Sequence, residues 1–179
     1  MSRGYYAISI DGESNGLAGQ MFALAMVACD ATGERSAATY RCPIIGPVDP
    51  WVAENVLPVI EHIPVNCADY ADLIARFRAT YASWGGEDRR DSVVTHVSWP
   101  VEARLLLDAF PGEEIWKGPY PLNDTAVLLQ RAGYKRVPVE QYLEDHQIPL
   151  PDGAPHDPLY DCRVAERAWF HLMTGGVRS

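Results

Sequence analysis

Tyr5-Tyr6-Ala7-Ile8-Ser9-Ile10-Asp11-Gly12-Glu13-Ser14-Asn15-Gly16-Leu17 is the stretch on which the fold turns. Aromatic and β-branched residues run from Tyr5 to Ile10, as in a buried strand, and the run breaks at Asp11-Gly12. Along an extended chain residues two apart share a face, so Asp11 and Glu13 project together from the strand end. Two carboxylates held that close raise each other's pKa unless a cation offsets them. Hard oxygen ligands of this kind suit Mg²⁺ or Mn²⁺. Asn15-Gly16, read locally, is also a good hairpin turn that needs no function.

Outward from this strand, Gln20 to Cys29 is a second apolar run, closed by Asp30-Ala31-Thr32-Gly33, and Arg35 to Cys42 reads as the returning strand. Pro43, Pro47 and Pro50 then break regular structure. A short helix follows Trp51 and ends near Pro58. Ala68 to Trp84 is a clear amphipathic helix, with Leu73, Ile74, Phe77, Tyr81 and Trp84 on one face and Gly85-Gly86 as its stop. Asp91 to Val97 reads as a buried strand. Pro100, at a first helical position, opens a helix to Phe110. An extended stretch near Ile115 to Tyr120 is the candidate fifth strand. Asn123-Asp124-Thr125 caps a helix to Ala132, Val139 to Asp145 forms another, and Asp157-Pro158 starts a last helix that ends before Gly175-Gly176. The pattern predicts one α/β domain over residues 1–179.

The composition agrees: 47% hydrophobic and 22% charged residues suit a globular chain with a sizeable core. Four cysteines (Cys29, Cys42, Cys67, Cys162) form no Cys-x-x-Cys pair, which points to buried reduced thiols rather than zinc or a disulfide framework. No apolar run approaches the roughly 20 residues of a membrane span, and the N-terminus lacks a signal-peptide core, so a cytoplasmic protein away from membranes is expected. With 15 Lys+Arg against 24 Asp+Glu, the net charge of −9 disfavours long duplex DNA, whose binding relies on many cationic contacts to phosphate. It leaves open a nucleic-acid enzyme whose positive charge comes from metal ions.

Two further acidic groups matter. His156-Asp157-Pro158-Leu159-Tyr160-Asp161 places a histidine before the last helix and a carboxylate in its first turn. An acid there is favoured by the helix dipole, but a histidine beside a metal-held carboxylate also suits deprotonation of water near neutral pH. Between the two ends, Val97-Ser98-Trp99-Pro100-Val101-Glu102 puts Glu102 in the first turn of a helix that follows a strand.

In this order (Asp11-x-Glu13, Glu102, His156-x-x-x-x-Asp161) the acids resemble the DEDDh 3′–5′ exonucleases, the DnaQ-like and RNase T-like family. Ile10 to Leu17 is similar to the family's first motif, apolar-Asp-x-Glu-[Ser/Thr]-x-Gly-[Leu/Met]. His156 to Asp161 is similar to its third, His-x-Ala-Leu-x-Asp, with Pro158 where alanine is usual. Asn123-Asp124-Thr125 resembles an Asp-[Ser/Thr] pair that precedes a helix in many members. The likeness runs from Tyr5 to about Leu172. The second motif departs from the family's His-Asn-x-x-Phe-Asp: His96-Val97-Ser98-Trp99-Pro100-Val101-Glu102 lacks the Asn and Phe, and Glu102 stands in the place of the aspartate. Asp108 is six residues on, roughly 9 Å along a helix axis, and too far to substitute.

The resemblance implies an RNase H-like fold with a mixed five-stranded sheet, the first three strands antiparallel, flanked by helices. It implies a metal-dependent 3′–5′ exonuclease that hydrolyses single-stranded nucleic acid or short oligonucleotides with a free 3′ end to nucleoside 5′-monophosphates. Two divalent cations, Mg²⁺ or Mn²⁺, about 3.5–4 Å apart would be held by Asp11, Glu13, Asp161 and Glu102. Asp11 would bridge them and His156 would take the proton from the attacking water. Ser14, Asn15, Gly16 and Leu17 would meet the terminal nucleotide, glycine admitting close approach. Among the tryptophans, Trp99 is the best stacking candidate, whereas Trp84 suits helix-end packing, and Arg89-Arg90 and Lys135-Arg136 read as solvated loops. Several family members are dimers, so a homodimer is among the implications. The altered second motif motivates a rival, a catalytically weak member acting as a nucleic-acid-binding or interaction module. An unrelated metal-dependent phosphoesterase using the same acids is a third reading. No residue can be assigned to sensing a 2′-hydroxyl, so RNA and DNA stay equal.

Overall fold

The computed structural model describes residues 6–176. Tyr5, the expected first residue of the leading strand, lies outside them. The leading strand β1 (Tyr6–Ser14) does not stop at Ile10 but carries Asp11 and Glu13 within its paired length. It pairs antiparallel with β2 (Met21–Asp30), which pairs antiparallel with β3 (Gly33–Arg41). On its other edge β1 pairs parallel with β4 (Val93–Thr95), and β4 pairs parallel with β5 (Asn123–Asp124). The order is β3-β2-β1-β4-β5, a mixed five-stranded sheet flanked by helices, and the fold is RNase H-like.

Alternation along β1 decides what lies on each face. Ile8 and Ile10 enter a large core with Phe22, Leu24 and Met26 of β2, closed by α1 (Pro50–Asn55), α2 (Tyr70–Ser83) and α3 (Val101–Ala109). The opposite face carries small residues, Ala25, Val27 and Cys29, against Cys162 of α6 (Pro158–Thr174). Asp11 and Glu13 share that face, at the end of β1 nearest the start of α6. A second core joins α4 (Thr125–Arg131), α5 (Val139–Asp145) and α6 through Leu129, Tyr142, Leu143 and Val164.

Two expectations need correction. The stretch Ile115–Tyr120 is no strand: Gly112–Lys117 is a 3₁₀ helix closed by Glu114 N–H to Pro111 O and Gly118 N–H to Ile115 O. The fifth strand is instead the two residues Asn123 and Asp124. The Asn123 side-chain amide fixes it by donating to the carbonyls of Asp91 (2.7 Å) and Val93 (2.9 Å). Pro100 is the residue before the helix rather than its first, and α3 begins at Val101. The four cysteines are buried thiols outside any disulfide. Among the described residues no helix is long and apolar enough to cross a membrane.

Candidate metal centre and adjoining cavities

Asp11 and Glu13 reach one pocket because both lie on the α6 face of β1. Asp161 meets them because α6 starts above that strand end. Asp157 caps α6 by accepting from Leu159 N–H (2.9 Å), and Pro158 supplies a preset φ at the first turn. His62 Nε2 lies 3.3 Å from the free oxygen of Asp157, tying the chain after α1 to the same corner. His156 adopts a left-handed backbone (φ 70°), a conformation few non-glycine residues hold without support. Its own N–H supplies part of that support by donating to Asp161 Oδ2 (3.0 Å). Its ring then faces Glu13, with Nδ1 3.8 Å from Oε1. Ligand-capable atoms of Glu13, His156 and Asp161 all lie within 4.8 Å of one another.

Glu102 arrives from the first turn of α3 and is 5% exposed. Its Oε1 accepts from the N–H of Gly12, between the two β1 acids, at 3.2 Å. Asp108 faces elsewhere and accepts from the Tyr70 hydroxyl (2.8 Å). The four acids burden one another. Burial, then Asp161 and Glu102, pushes the Glu13 carboxyl up to about 8. Burial pushes Glu102 up to about 7, against the Gly12 hydrogen bond. Burial raises Asp161 to about 7, opposed by the His156 N–H and reinforced by Glu140 and Asp157. Asp11 is raised well above the ordinary carboxylate range, by burial first and then by Asp161, Glu102 and Glu13. Desolvated, mutually repelling carboxylates fit a hard divalent cation, which removes the cost of keeping them ionised.

Two cavities flank Glu13 and His156. One, about 500 Å³, is lined by Leu17, Trp51, Val52 and Val101 with Gly12, Ser14, Gly16 and Asp49. The other, about 400 Å³, holds Asp11, Asp161, His96 and Glu140. The first is held open by side-chain bonds. Asn15 Nδ2 donates to Pro47 O (2.9 Å) and Asn15 Oδ1 accepts from Asp49 N–H (2.7 Å), clamping the β1–β2 turn to the start of α1. Gly16, at φ 74°, packs so closely on Asp49 that a Cβ there would lie 3.2 Å from its Oδ2. Ser14 is buried and its hydroxyl donates to Gly16 O. Leu17 is 74% exposed at the rim.

Of the expected site residues, Asp11, Glu13, Asp161 and His156 come together, with Glu102 touching the same strand end. Ser14, Gly16 and Leu17 line the neighbouring cavity and Asn15 braces it. Trp99, also 74% exposed, lines neither cavity. Sequence reasoning missed Trp51, Asp49, His96 and Glu140. Trp51 meets His156 edge-on, with ring centroids 5.1 Å apart. Its only local sign was the Asp49-Pro50 cap signal, the same as Asp157-Pro158. Of the other candidates, Trp84 packs half-buried at the end of α2, Arg89 stacks on Tyr6, and Arg90 hydrogen-bonds the Trp116 carbonyl.

No protein-family model and no curated protein matches the chain. Solved structures do. A structure of exonuclease X in complex with 5′-overhanging duplex DNA aligns at a TM-score of 0.58 and 18% identity, over 96% of this chain and 94% of that one. The nuclease domain of 3′hExo, a DEDDh family member, bound to rAMP, aligns at a TM-score of 0.61 and 13% identity, over 98% of this chain and 94% of that one. At these identities the likeness is one of fold: the chain is built on the architecture of these exonuclease domains.

Proposed function

We propose that the protein is a metal-dependent 3′–5′ exonuclease acting on single-stranded or short nucleic acid, and that Asp11, Glu13, Asp161 and Glu102 hold two divalent cations. The observation that carries this reading is the meeting of Glu13, His156 and Asp161 within 4.8 Å, where Glu13 and His156 also line an apolar cavity. The two exonuclease structures with the same fold, one on DNA and one with a mononucleotide, support it.

Bound divalent cations would supply positive charge for the oxygens of an in-line displacement at phosphorus. The protein does the rest. Leu17, Trp51, Val52 and Val101 take the planar base of the 3′-terminal nucleotide, with stacking worth about 1–3 kcal/mol. The Gly16 backbone approaches its sugar, and the scissile phosphate falls beside Glu13. His156, held by Asp161 and steadied by Trp51, takes the proton from the attacking water, and a nucleoside 5′-monophosphate leaves.

The test is a 5′-labelled single strand incubated with purified protein and Mg²⁺ or Mn²⁺. Mononucleotides should be released from the 3′ end, Asp11→Ala should abolish release, and a blocked 3′ end should stall it. Cutting of the blocked strand would instead indicate an endonucleolytic phosphoesterase. Binding with no release under either ion would leave a nucleic-acid-binding module.

A further inference from the structure

Asp49 occupies an unusual place in the apolar cavity. Its Oδ1 is committed, accepting from Trp51 N–H (2.9 Å) and Val52 N–H (3.3 Å) at the start of α1. No hydrogen bond among the described residues uses Oδ2. That oxygen lies against Gly16, at the part of the cavity wall where glycine lets the backbone come closest to a ligand. Among the described residues neither cavity is lined by a lysine or arginine. An anion placed against Asp49 Oδ2 therefore meets a carboxylate outside the proposed metal set and no cationic side chain. A hydroxyl placed there meets a free acceptor.

We propose that Asp49 selects the chain end: its Oδ2 accepts a hydrogen bond from a hydroxyl of the terminal sugar and turns away an end that carries a 3′-phosphate. This rests on the cavity's holding the terminal nucleotide, as proposed above. The discrimination has two parts, an attraction to the donor and a repulsion of the charge, and the second is the larger because it leaves an anion uncompensated.

Mononucleotides test this without any cleavage. Nucleoside 5′-monophosphate carries a free 3′-hydroxyl; nucleoside 3′,5′-bisphosphate replaces it with phosphate. Calorimetry in Mg²⁺ should find the bisphosphate at least about tenfold weaker on the wild type. In Asp49→Asn the amide oxygen keeps the cap and the amide nitrogen faces the cavity, since Asn caps helices as well as Asp. The penalty should then fall below about threefold. Asp49→Ser, which keeps one capping oxygen and deletes Oδ2, should give the same collapse if the Asn variant folds poorly. The 3′-deoxy and 2′-deoxy monophosphates identify which hydroxyl is read: the one whose loss weakens the wild type but not the variants.

An equal phosphate penalty in wild type and both variants overturns the proposal, as does failure of the wild type to bind any mononucleotide. The two readings fail separately. A protein that discriminates the mononucleotides as expected but degrades no oligomer keeps the Asp49 assignment and loses the exonuclease. One that degrades oligomers with no effect at Asp49 does the reverse.

Discussion

The two flanks of Glu13 and His156 are built to opposite rules. On one side Leu17, Trp51, Val52 and Val101 form an apolar slot whose frame is tied together without a ligand: Ser14 bonds Gly16, and Asn15 bonds Pro47 and Asp49 across the β1–β2 turn and α1, with Asp49 Oδ2 left open to the cavity. On the other side Asp11, Asp161 and Glu140 line one wall, with Glu102 acting on Asp11 from beside it, and among the described residues that wall holds no lysine or arginine. A frame whose polar groups are paired is rigid and inexpensive to maintain. A set of desolvated acids is expensive and stays so until a cation arrives. The contrast teaches that one flank is shaped for a ligand and the other is left electrostatically unfinished for one.

The largest effect should follow from breaking the unfinished flank. Asp161→Asn removes a charge from the metal set while its amide oxygen can still accept from His156 N–H. Release of mononucleotides should fall by about a thousandfold or more, with little change in the affinity of the slot for a mononucleotide. A fall of less than tenfold would mean that the acids do not act as one unit.

The same flank should make the metal-free protein sensitive to pH, and the sign is fixed by the direction of the shifts. Glu13 near 8 and Glu102 and Asp161 near 7 all lie above the ordinary carboxylate values near 4. The folded state therefore binds more protons than the unfolded one between about pH 4 and pH 8, and stability falls as pH rises through that window. In EDTA the Tm should drop by about 5 °C or more from pH 5 to pH 8. Mg²⁺ at pH 8 should restore it, because the cation binds the folded state alone. A metal-free Tm that rises toward pH 8 would contradict the crowding of these acids.

How much of this was legible in the sequence follows from the same contrast. The acids of the first and third motifs each belong to a single local signal, a strand end and a capped helix start, so Asp11, Glu13, His156 and Asp161 could be read along the chain. The slot is assembled by a tertiary clamp: Trp51 enters it only because Asn15 holds Asp49, 34 residues away, and no local pattern announces that. The fold was readable for a similar reason. Strands β1 and β2 carry their own apolar runs and β3 returns from the turn that closes β2, whereas β5 is two residues long, pairs with β4 over those two residues and is anchored by the Asn123 side chain. The stretch eight residues earlier, Ile115 to Tyr120, reads as extended, but its first three residues belong to a 3₁₀ helix that ends at Lys117.

Truncating the slot should cost less than breaking the acid flank. Trp51→Ala removes a stacking surface worth about 1–3 kcal/mol, so KM for an oligomer should rise roughly 5- to 150-fold. Because Trp51 also abuts His156, kcat should fall as well, and Trp51→Phe should recover kcat more than KM by restoring the edge contact with a smaller ring. An unchanged KM in the Ala variant would show that the base lies elsewhere, with Trp99 the next residue to truncate.

The smallest effect should come from Glu102, where the two rules meet in one side chain. Its carboxyl is buried among acids, yet it hydrogen-bonds the Gly12 N–H, which has the length of a glutamate to thank for its partner. Glu102→Asp withdraws the carboxyl by one methylene and should lose that bond, costing about 1 kcal/mol by chemical denaturation at pH 8 without metal. Glu102→Gln keeps an acceptor for Gly12 and deletes the charge, so under the same conditions it should be more stable than the wild type while needing more Mg²⁺ for activity. If the signs are reversed, with the Gln variant weakened and the Asp variant unchanged, then the Glu102 charge is favourable where it sits, and neither repulsion by the other acids nor the reach to Gly12 governs that carboxyl.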